Sequence, residues 1–67
     1  MRKGQWVMDR DGDIGQIDKR EKQKVWCRWI MYAPLEGWEE QRPVWSKPED
    51  LRVIPKAVAD IVAKSIN

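Results

Sequence analysis

The sequence contains no histidine and no phenylalanine, and its single cysteine is Cys27. One cysteine excludes a disulfide within the chain, and without histidine it also excludes a Cys/His zinc site. Small domains without disulfides are typical of reducing compartments, and no apolar signal segment follows the N-terminal residues. The longest apolar run, Trp29 to Ala33, is too short to cross a bilayer. We therefore expect a cytoplasmic protein with no membrane partner.

The sequence also lacks a large excess of positive or negative residues. The chain has 13 Lys and Arg and 11 Asp and Glu, a net charge of +2, which does not by itself indicate a nucleic-acid partner. Sixty-seven residues form one domain with a small core. Five tryptophans supply much of the apolar area that such a core needs, so several of them must be buried.

Catalytic groups are scarce. Without histidine, acid–base chemistry would fall to carboxylates, Tyr32, Cys27 or lysine. The acidic pairs Glu39-Glu40 and Glu49-Asp50 are adjacent in sequence, and neighbours on a strand point to opposite faces. Cys27 alternates with apolar residues, which favours a protonated core thiol over a nucleophile. We expect no enzyme activity and no cofactor, and a protein that works by binding.

The run Asp9-Arg10-Asp11-Gly12-Asp13 invites a comparison with calcium loops. An EF-hand loop has glycine at its sixth position and a bidentate glutamate at its twelfth. Here the glycine is fourth and the twelfth residue is Arg20. Aspartate and glycine are common turn residues, so the run predicts a turn rather than a metal site.

The pattern of apolar and turn residues predicts a mainly β fold with one terminal helix. The strands are predicted at residues 5–8, 14–17, 25–33, 38–46 and 52–54. Between them we expect a basic loop at 18–24, a hairpin turn at 34–37 and a helical turn at 47–51. The helix is predicted at residues 57–66, and Pro43 predicts an edge or a bulge in the fourth strand.

Two sequence patterns resemble SH3-like barrels of the KOW, Tudor and small-phage-protein kinds. Gly4-x-x-Val7 followed by Gly12-x-x-Gly15-x-Ile17 resembles their opening. Trp45-x-x-Pro48-Glu49-Asp50-Leu51-x-Val53 is similar to their turn and closing strand. The resemblance covers most of residues 4–54, and it implies a five-stranded SH3-like barrel over residues 1–54 with an appended helix at 55–67. It also implies a small accessory protein of a phage or mobile element. The acidic-aromatic first loop of signalling SH3 domains is missing, which argues against polyproline binding.

The strand beginning at Val25 carries the first candidate site. Alternation places Val25, Cys27, Trp29 and Met31 on a core-facing side. The opposite side carries three large apolar or aromatic groups and one guanidinium: Trp26, Arg28, Ile30 and Tyr32. This composition is typical of interface hot spots, so a protein partner is the favoured ligand.

The C-terminal helix offers a competing explanation for that surface. Its predicted apolar stripe comprises Val58, Ile61, Val62 and Ser65 or Ile66. A helix this short is marginal in water, so it must dock on its own barrel or on a second copy, which would give a homodimer. Docking on the barrel would cover the aromatic surface instead of leaving it open.

Nucleic acid is the alternative ligand. Four cations in the predicted loop, beside Arg28 and the exposed aromatics, provide phosphate contacts and stacking platforms. These loop cations are Lys19, Arg20, Lys22 and Lys24. A solvated hairpin tip explains the same charges more simply. The feature that decides between the ligands is whether the basic loop and the aromatics form one continuous surface.

Overall fold

The computed structural model describes residues 1–33 and 37–66. It contains five strands, β1 Trp6–Met8, β2 Ile14–Arg20, β3 Val25–Trp29, β4 Val44–Ser46 and β5 Arg52–Ile54. Two one-turn 3₁₀ helices cover Ile30–Tyr32 and Pro48–Asp50, and helix α1 covers Lys56–Ile66. The predicted mainly β fold with a C-terminal helix is confirmed. No helix in the described ranges has the length and apolar content needed to span a bilayer.

The strands form one antiparallel sheet in the order β4-β3-β2-β1-β5. Strands β4 and β5 are its two edges, and no pairing between them closes the sheet within the described residues. The five-stranded barrel expected from the sequence is therefore not confirmed, and the SH3-like relationship stays a prediction.

The main core lies on one face of the sheet, where Trp29 packs over Gly15. The two residues are cross-strand partners, and a Cβ on Gly15 would lie 2.8 Å from a carbon of the Trp29 ring and 2.9 Å from the carbonyl oxygen of Arg28. Only glycine fits at this position without displacing its neighbours. The buried cluster on this face comprises Val7, Ile17, Val25, Cys27, Trp29 and Leu51.

A second cluster lies on the opposite face, under α1. At its centre Ala59, which is 1% exposed, packs with Ile14 and Ile30. The partly buried residues around this centre are Trp6, Met8, Trp38, Ile54, Val62 and Ala63. The helix therefore docks on its own sheet, one of the two arrangements expected from its length.

The docking face of α1 differs from the predicted stripe by about one residue. Val58 and Ile61 were expected in the interface, but both are exposed, Ile61 to 66%. The contacting residues are Ala59, Val62 and Ala63. The small side chain of Ala59 lets the helix approach the sheet closely, whereas the pattern of large apolar residues pointed to the neighbouring face. Dimerisation through the helix stays a prediction.

Three predicted strands differ from the observed ones. Strand β2 continues to Arg20, so Lys19 and Arg20 lie in a strand and the loop is confined to residues 21–24. Strand β3 ends at Trp29, and the fourth strand covers only Val44–Ser46 of the predicted 38–46. Most of the predicted hairpin turn at 34–37 lies outside the described residues. Gly37 adopts the expected left-handed conformation, with φ of 73°.

Candidate functional site

The four residues of the predicted protein-binding surface do not share one open surface. Ile30 lies on the predicted side, away from the main core, but it is only 4% exposed because α1 covers it, which is the competing arrangement that the sequence left open. The strand ends at Trp29, and Tyr32, in the 3₁₀ helix that follows, is exposed. Trp26 and Arg28 are half-buried. Met31, expected on the core side, lies in the same 3₁₀ helix and is exposed.

Arg28 is held by the fold. Its Nη1 forms an ion pair with Asp18, and its Nε donates a hydrogen bond of 2.9 Å to the backbone oxygen of Gln41. The side chain of Gln41 in turn accepts the backbone N–H of Trp29 at 2.6 Å. Since two of its three guanidinium nitrogens are engaged, Arg28 connects β2 to the segment before β4 and contributes little to an open surface.

A bulge at Asp18 sets the arrangement of the adjacent end of the sheet. Residues Ile17 and Cys27 are cross-strand partners, but the next pair along is Lys19 with Trp26, so Asp18 is the extra residue. Trp26 is also the partner of Trp45 on β4. The bulge therefore places Lys19, Trp26 and Trp45 in one row across three strands, on one face of the sheet.

Glu21 joins the first two members of this row. Its carboxylate accepts a 2.7 Å hydrogen bond from the indole N–H of Trp26 and lies 3.4 Å from Nζ of Lys19. The Trp26 hydrogen bond, followed by the charges of Lys19 and Lys24, lowers the pKa of the Glu21 carboxyl. Trp26 is thus oriented by a charge-assisted hydrogen bond rather than by burial.

Arg20 closes the hairpin tip. Its Nη1 donates to the backbone oxygen of Glu21 and, at 3.4 Å, to that of Lys24. The backbone N–H of Glu21 also donates to the oxygen of Lys24 at 2.8 Å. Arg20 therefore orders the tip that presents Lys22 and Lys24, and it is not simply a solvated cation.

Lys24 brings the hairpin tip and the aromatic row together. Its Nζ lies 4.8 Å from the centroid of the Trp45 ring, within cation–π range, and Trp45 is 44% exposed. Beside this contact lies a groove of about 520 Å³, lined by Lys22, Gln23, Lys24, Trp45, Lys47, Pro48 and Glu49. The basic loop and the exposed Trp45 ring thus form one continuous surface, although Trp45 does not belong to the aromatic side predicted from the sequence.

We call this surface the basic end. It consists of Lys19, Arg20, Lys22, Lys24, Trp26, Trp45 and Lys47. Its five cations are accompanied by two carboxylates, Glu21 and Glu49, while the other parts of the sequence hold eight cations and nine carboxylates. The near-neutral total therefore conceals a local excess of positive charge.

Sequence reasoning did not assign Trp45 and Lys47 to a site. A signal was present, because Pro43 predicts an edge at the fourth strand and an edge-strand tryptophan has fewer neighbours to bury it. The contact with Lys24 depends on the pairing of β3 with β4, which brings together residues 21 positions apart. Periodicity within one segment carries no information about such pairing.

The aspartates of the β1–β2 loop form the predicted turn. Oδ1 of Asp9 accepts the backbone N–H groups of Asp11 at 3.0 Å and Asp13 at 2.9 Å. Burial, followed by the charges of Asp9 and Asp11, raises the pKa of the Asp13 carboxyl. The Asp9 carboxylate is thus part of the turn itself.

Cys27 is fully buried in the main core, as predicted. Burial raises the pKa of its thiol to about 11. A thiol this hard to ionise is a poor nucleophile at neutral pH.

Comparison of the chain with protein-family models, with curated proteins and with solved structures found no match.

Proposed function

We propose that this domain is a non-catalytic binding module whose ligand is nucleic acid, contacted through the basic end. The observation that carries the proposal is the contact between Lys24 and the exposed Trp45. It joins the loop cations to an accessible aromatic ring. Cations that pair with phosphates and aromatics that stack on bases are the two components of sequence-tolerant nucleic-acid binding.

Three lysines are the phosphate contacts of this proposal. Within the described residues, Lys22, Lys24 and Lys47 form no ion pair with a carboxylate, and all three are exposed. Lys19 shares its charge with Glu21, and Arg20 is engaged by backbone oxygens. We expect weak, salt-sensitive binding, because each neutralised phosphate contributes about −0.7 to the slope of log K against log salt for a single strand.

The order of the elements supports the SH3-like relationship as part of this proposal. Strand β1 lies between β2 and β5, and a single 3₁₀ turn at Pro48–Asp50 leads from β4 into β5. This turn and closing strand are the segment whose sequence resembles SH3-like barrels. In this proposal the sheet is an open member of that class, working in the cytoplasm as an accessory protein.

A protein partner, the ligand favoured by the sequence, stays a prediction with less support. Its four residues do not form one surface. Ile30 is in a covered cluster, Arg28 is in an internal ion pair, Trp26 is half-buried at the basic end and Tyr32 alone is exposed. A pull-down from lysate with and without nuclease separates the two ligands, because a partner bridged by nucleic acid is lost after digestion and a direct protein partner is kept.

Fluorescence anisotropy with a labelled oligonucleotide tests the proposal. The variant carries Lys22→Gln, Lys24→Gln and Lys47→Gln, and the control carries the same charge change at the exposed lysines Lys3, Lys56 and Lys64. The first variant should lose most of the affinity and flatten the salt slope by about 2. The control should keep both to a large degree. Equal losses of affinity in the two variants would mean that binding depends only on the net charge of the protein, and would refute the assigned surface.

A further inference from the structure

The groove at the basic end has the dimensions and lining of a site for one nucleotide. It is an open groove of about 520 Å³, a volume within the range of roughly 300–1,000 Å³ typical of small-molecule sites. Trp45 supplies an aromatic side, and Lys22, Lys24 and Lys47 supply positive charge around it. We propose, resting on the function proposed above, that the ligand is single-stranded nucleic acid, with one unpaired base stacked on Trp45.

The position of Trp45 argues for an unpaired base. A base within a duplex presents only its edges, because both of its ring faces are covered by neighbouring base pairs. The side chain of Trp45 stands on the short edge strand β4 and contributes its ring to the groove. A ring offers a stacking face but few hydrogen bonds for reading base edges, and unstacking a paired base costs a few kcal/mol. A strand that is already single pays no such cost.

Charge at the two sides of the groove sets the direction of the nucleotide. Lys22 and Lys24 line it from the hairpin tip, whereas on the other side the charge of Lys47 is opposed by that of Glu49. The net positive charge is therefore greater at the hairpin tip, so the phosphate of the stacked nucleotide lies toward the tip and its base toward Trp45. In the free protein the Lys24 ammonium lies over the ring. Its flexible stem lets it leave the ring and pair with the phosphate when a base takes its place.

Anisotropy titrations with three labelled probes test the inference. The probes are a single strand, a hairpin duplex of related sequence, and an abasic strand with the same number of phosphates. Wild-type protein should bind the single strand at least about fivefold more tightly than the abasic strand, since stacking of one base contributes about 5- to 150-fold. It should also prefer the single strand to the duplex.

Variants at Trp45 supply the matched control. Trp45→Ala should bind the single strand no better than wild-type protein binds the abasic strand, while Trp45→Tyr should keep most of the difference. Thermal unfolding shows whether each variant is folded. If Trp45→Ala is unfolded, the comparison of Trp45→Tyr with the wild-type protein still tests the stacking. If the duplex and the single strand bind equally, or if Trp45→Ala leaves their ratio unchanged, the inference is overturned although the proposed function stands. If the wild-type protein binds none of the probes, both fail.

Discussion

The two ends of strand β2 carry opposite charge and use it differently. At its start the loop of Asp9 to Asp13, which we call the acidic end, directs a carboxylate to two backbone N–H groups of its own turn. Arg10 there pairs with Asp50 at 3.0 Å. At the other end, Lys22 and Lys24 project from the hairpin without a carboxylate partner in the described residues. Charge that completes a turn is needed by the fold, whereas charge without a partner is available to a ligand.

The tryptophans of β3 differ in the same way. Trp29 lies opposite Gly15, toward the acidic end, and is 7% exposed in the main core. Trp26 lies opposite Lys19 at the basic end, half-buried and oriented by Glu21. The predictions that follow test whether residues toward the acidic end serve stability and residues at the basic end serve binding.

The largest expected effect is that of removing the Trp29 ring. Trp29→Ala should lower the free energy of unfolding by about 3–5 kcal/mol, because it empties the space over Gly15 as well as the core. A loss of that size unfolds so small a domain. Trp26→Ala should cost much less, because Trp26 is only half-buried and its hydrogen bond to Glu21 is exposed to water. Urea denaturation followed by circular dichroism measures both, and equal losses would refute the assignment of the two faces.

The next effect concerns Cys27, which lies between the two ends. Because burial raises the folded pKa to about 11 from the ordinary 9.0, the thiol stays neutral in the folded protein while the unfolded one ionises. The contribution of the neutral thiol to the free energy of unfolding is fully present below pH 9.0 and is lost as the pH rises toward about 11. The loss should reach about 2–3 kcal/mol at 1.36 kcal/mol per pKa unit.

Cys27→Ala supplies the control for this titration. The difference in unfolding free energy between the wild-type protein and Cys27→Ala should shrink steadily over the alkaline range, because only the wild-type protein carries the thiol. All other side chains are common to the two proteins, so their contributions cancel in the difference. A constant difference would mean that water reaches the thiol and that the core is looser than its burial indicates.

A smaller effect tests the acidic end itself. Asp9→Ala leaves the N–H groups of Asp11 and Asp13 without their acceptor and should cost about 1–2 kcal/mol. Asp9→Asn keeps Oδ1 and removes a charge that raises the pKa of Asp13, so it should be close to wild-type in stability. Neither variant should change affinity for an oligonucleotide. Reduced affinity in Asp9→Ala at a temperature where it is fully folded would mean that the ends are not independent.

The smallest effect is that of Glu21 at the basic end. Since its folded pKa is lowered, its contribution to stability is present above the ordinary value of 4.5 and is lost as the pH falls through the folded pKa. In Glu21→Gln the free energy of unfolding should not show this decrease at acidic pH. The variant should also bind an oligonucleotide a little more tightly, because it has lost a negative charge beside Lys19. Chemical denaturation over the acidic range and anisotropy at neutral pH measure the two changes. Weaker binding in Glu21→Gln would mean that orienting Trp26 matters more than local charge.

The elements that could be predicted from the sequence are those with a local cause. The turn at Pro48–Asp50, the strand Arg52–Ile54 and the helix follow from proline, β-branched residues and a change of period. The strand extension to Arg20 was missed because its last residues are charged, and backbone pairing at an exposed end requires no apolar side chains.

The site could not be predicted in the same way, because it is formed by contacts between segments that are distant in sequence. Ile30 lies on the side predicted for it, away from the main core, but α1 covers it, and this contact joins segments distant in sequence. Trp45 joined the basic residues because β4 pairs with β3, a contact between distant segments. The loop cations were identified from the sequence, but their different roles were not. The hydrogen bonds of the structure show that Arg20 orders the tip, whereas Lys22 and Lys24 have no ion pair in the described ranges.

The indole N–H signals of the five tryptophans test the central claim most directly. In a ¹H–¹⁵N spectrum each tryptophan gives one such signal, which single Trp→Phe variants assign. On titration with a single-stranded oligonucleotide, the Trp45 signal should shift most and Trp26 less, while Trp29 and Trp38, engaged in the core and with Gln16, stay in place. Shifts confined to Trp6 and Trp38, or no shift at Trp45 on saturation, would contradict the assignment of the basic end as the nucleic-acid site.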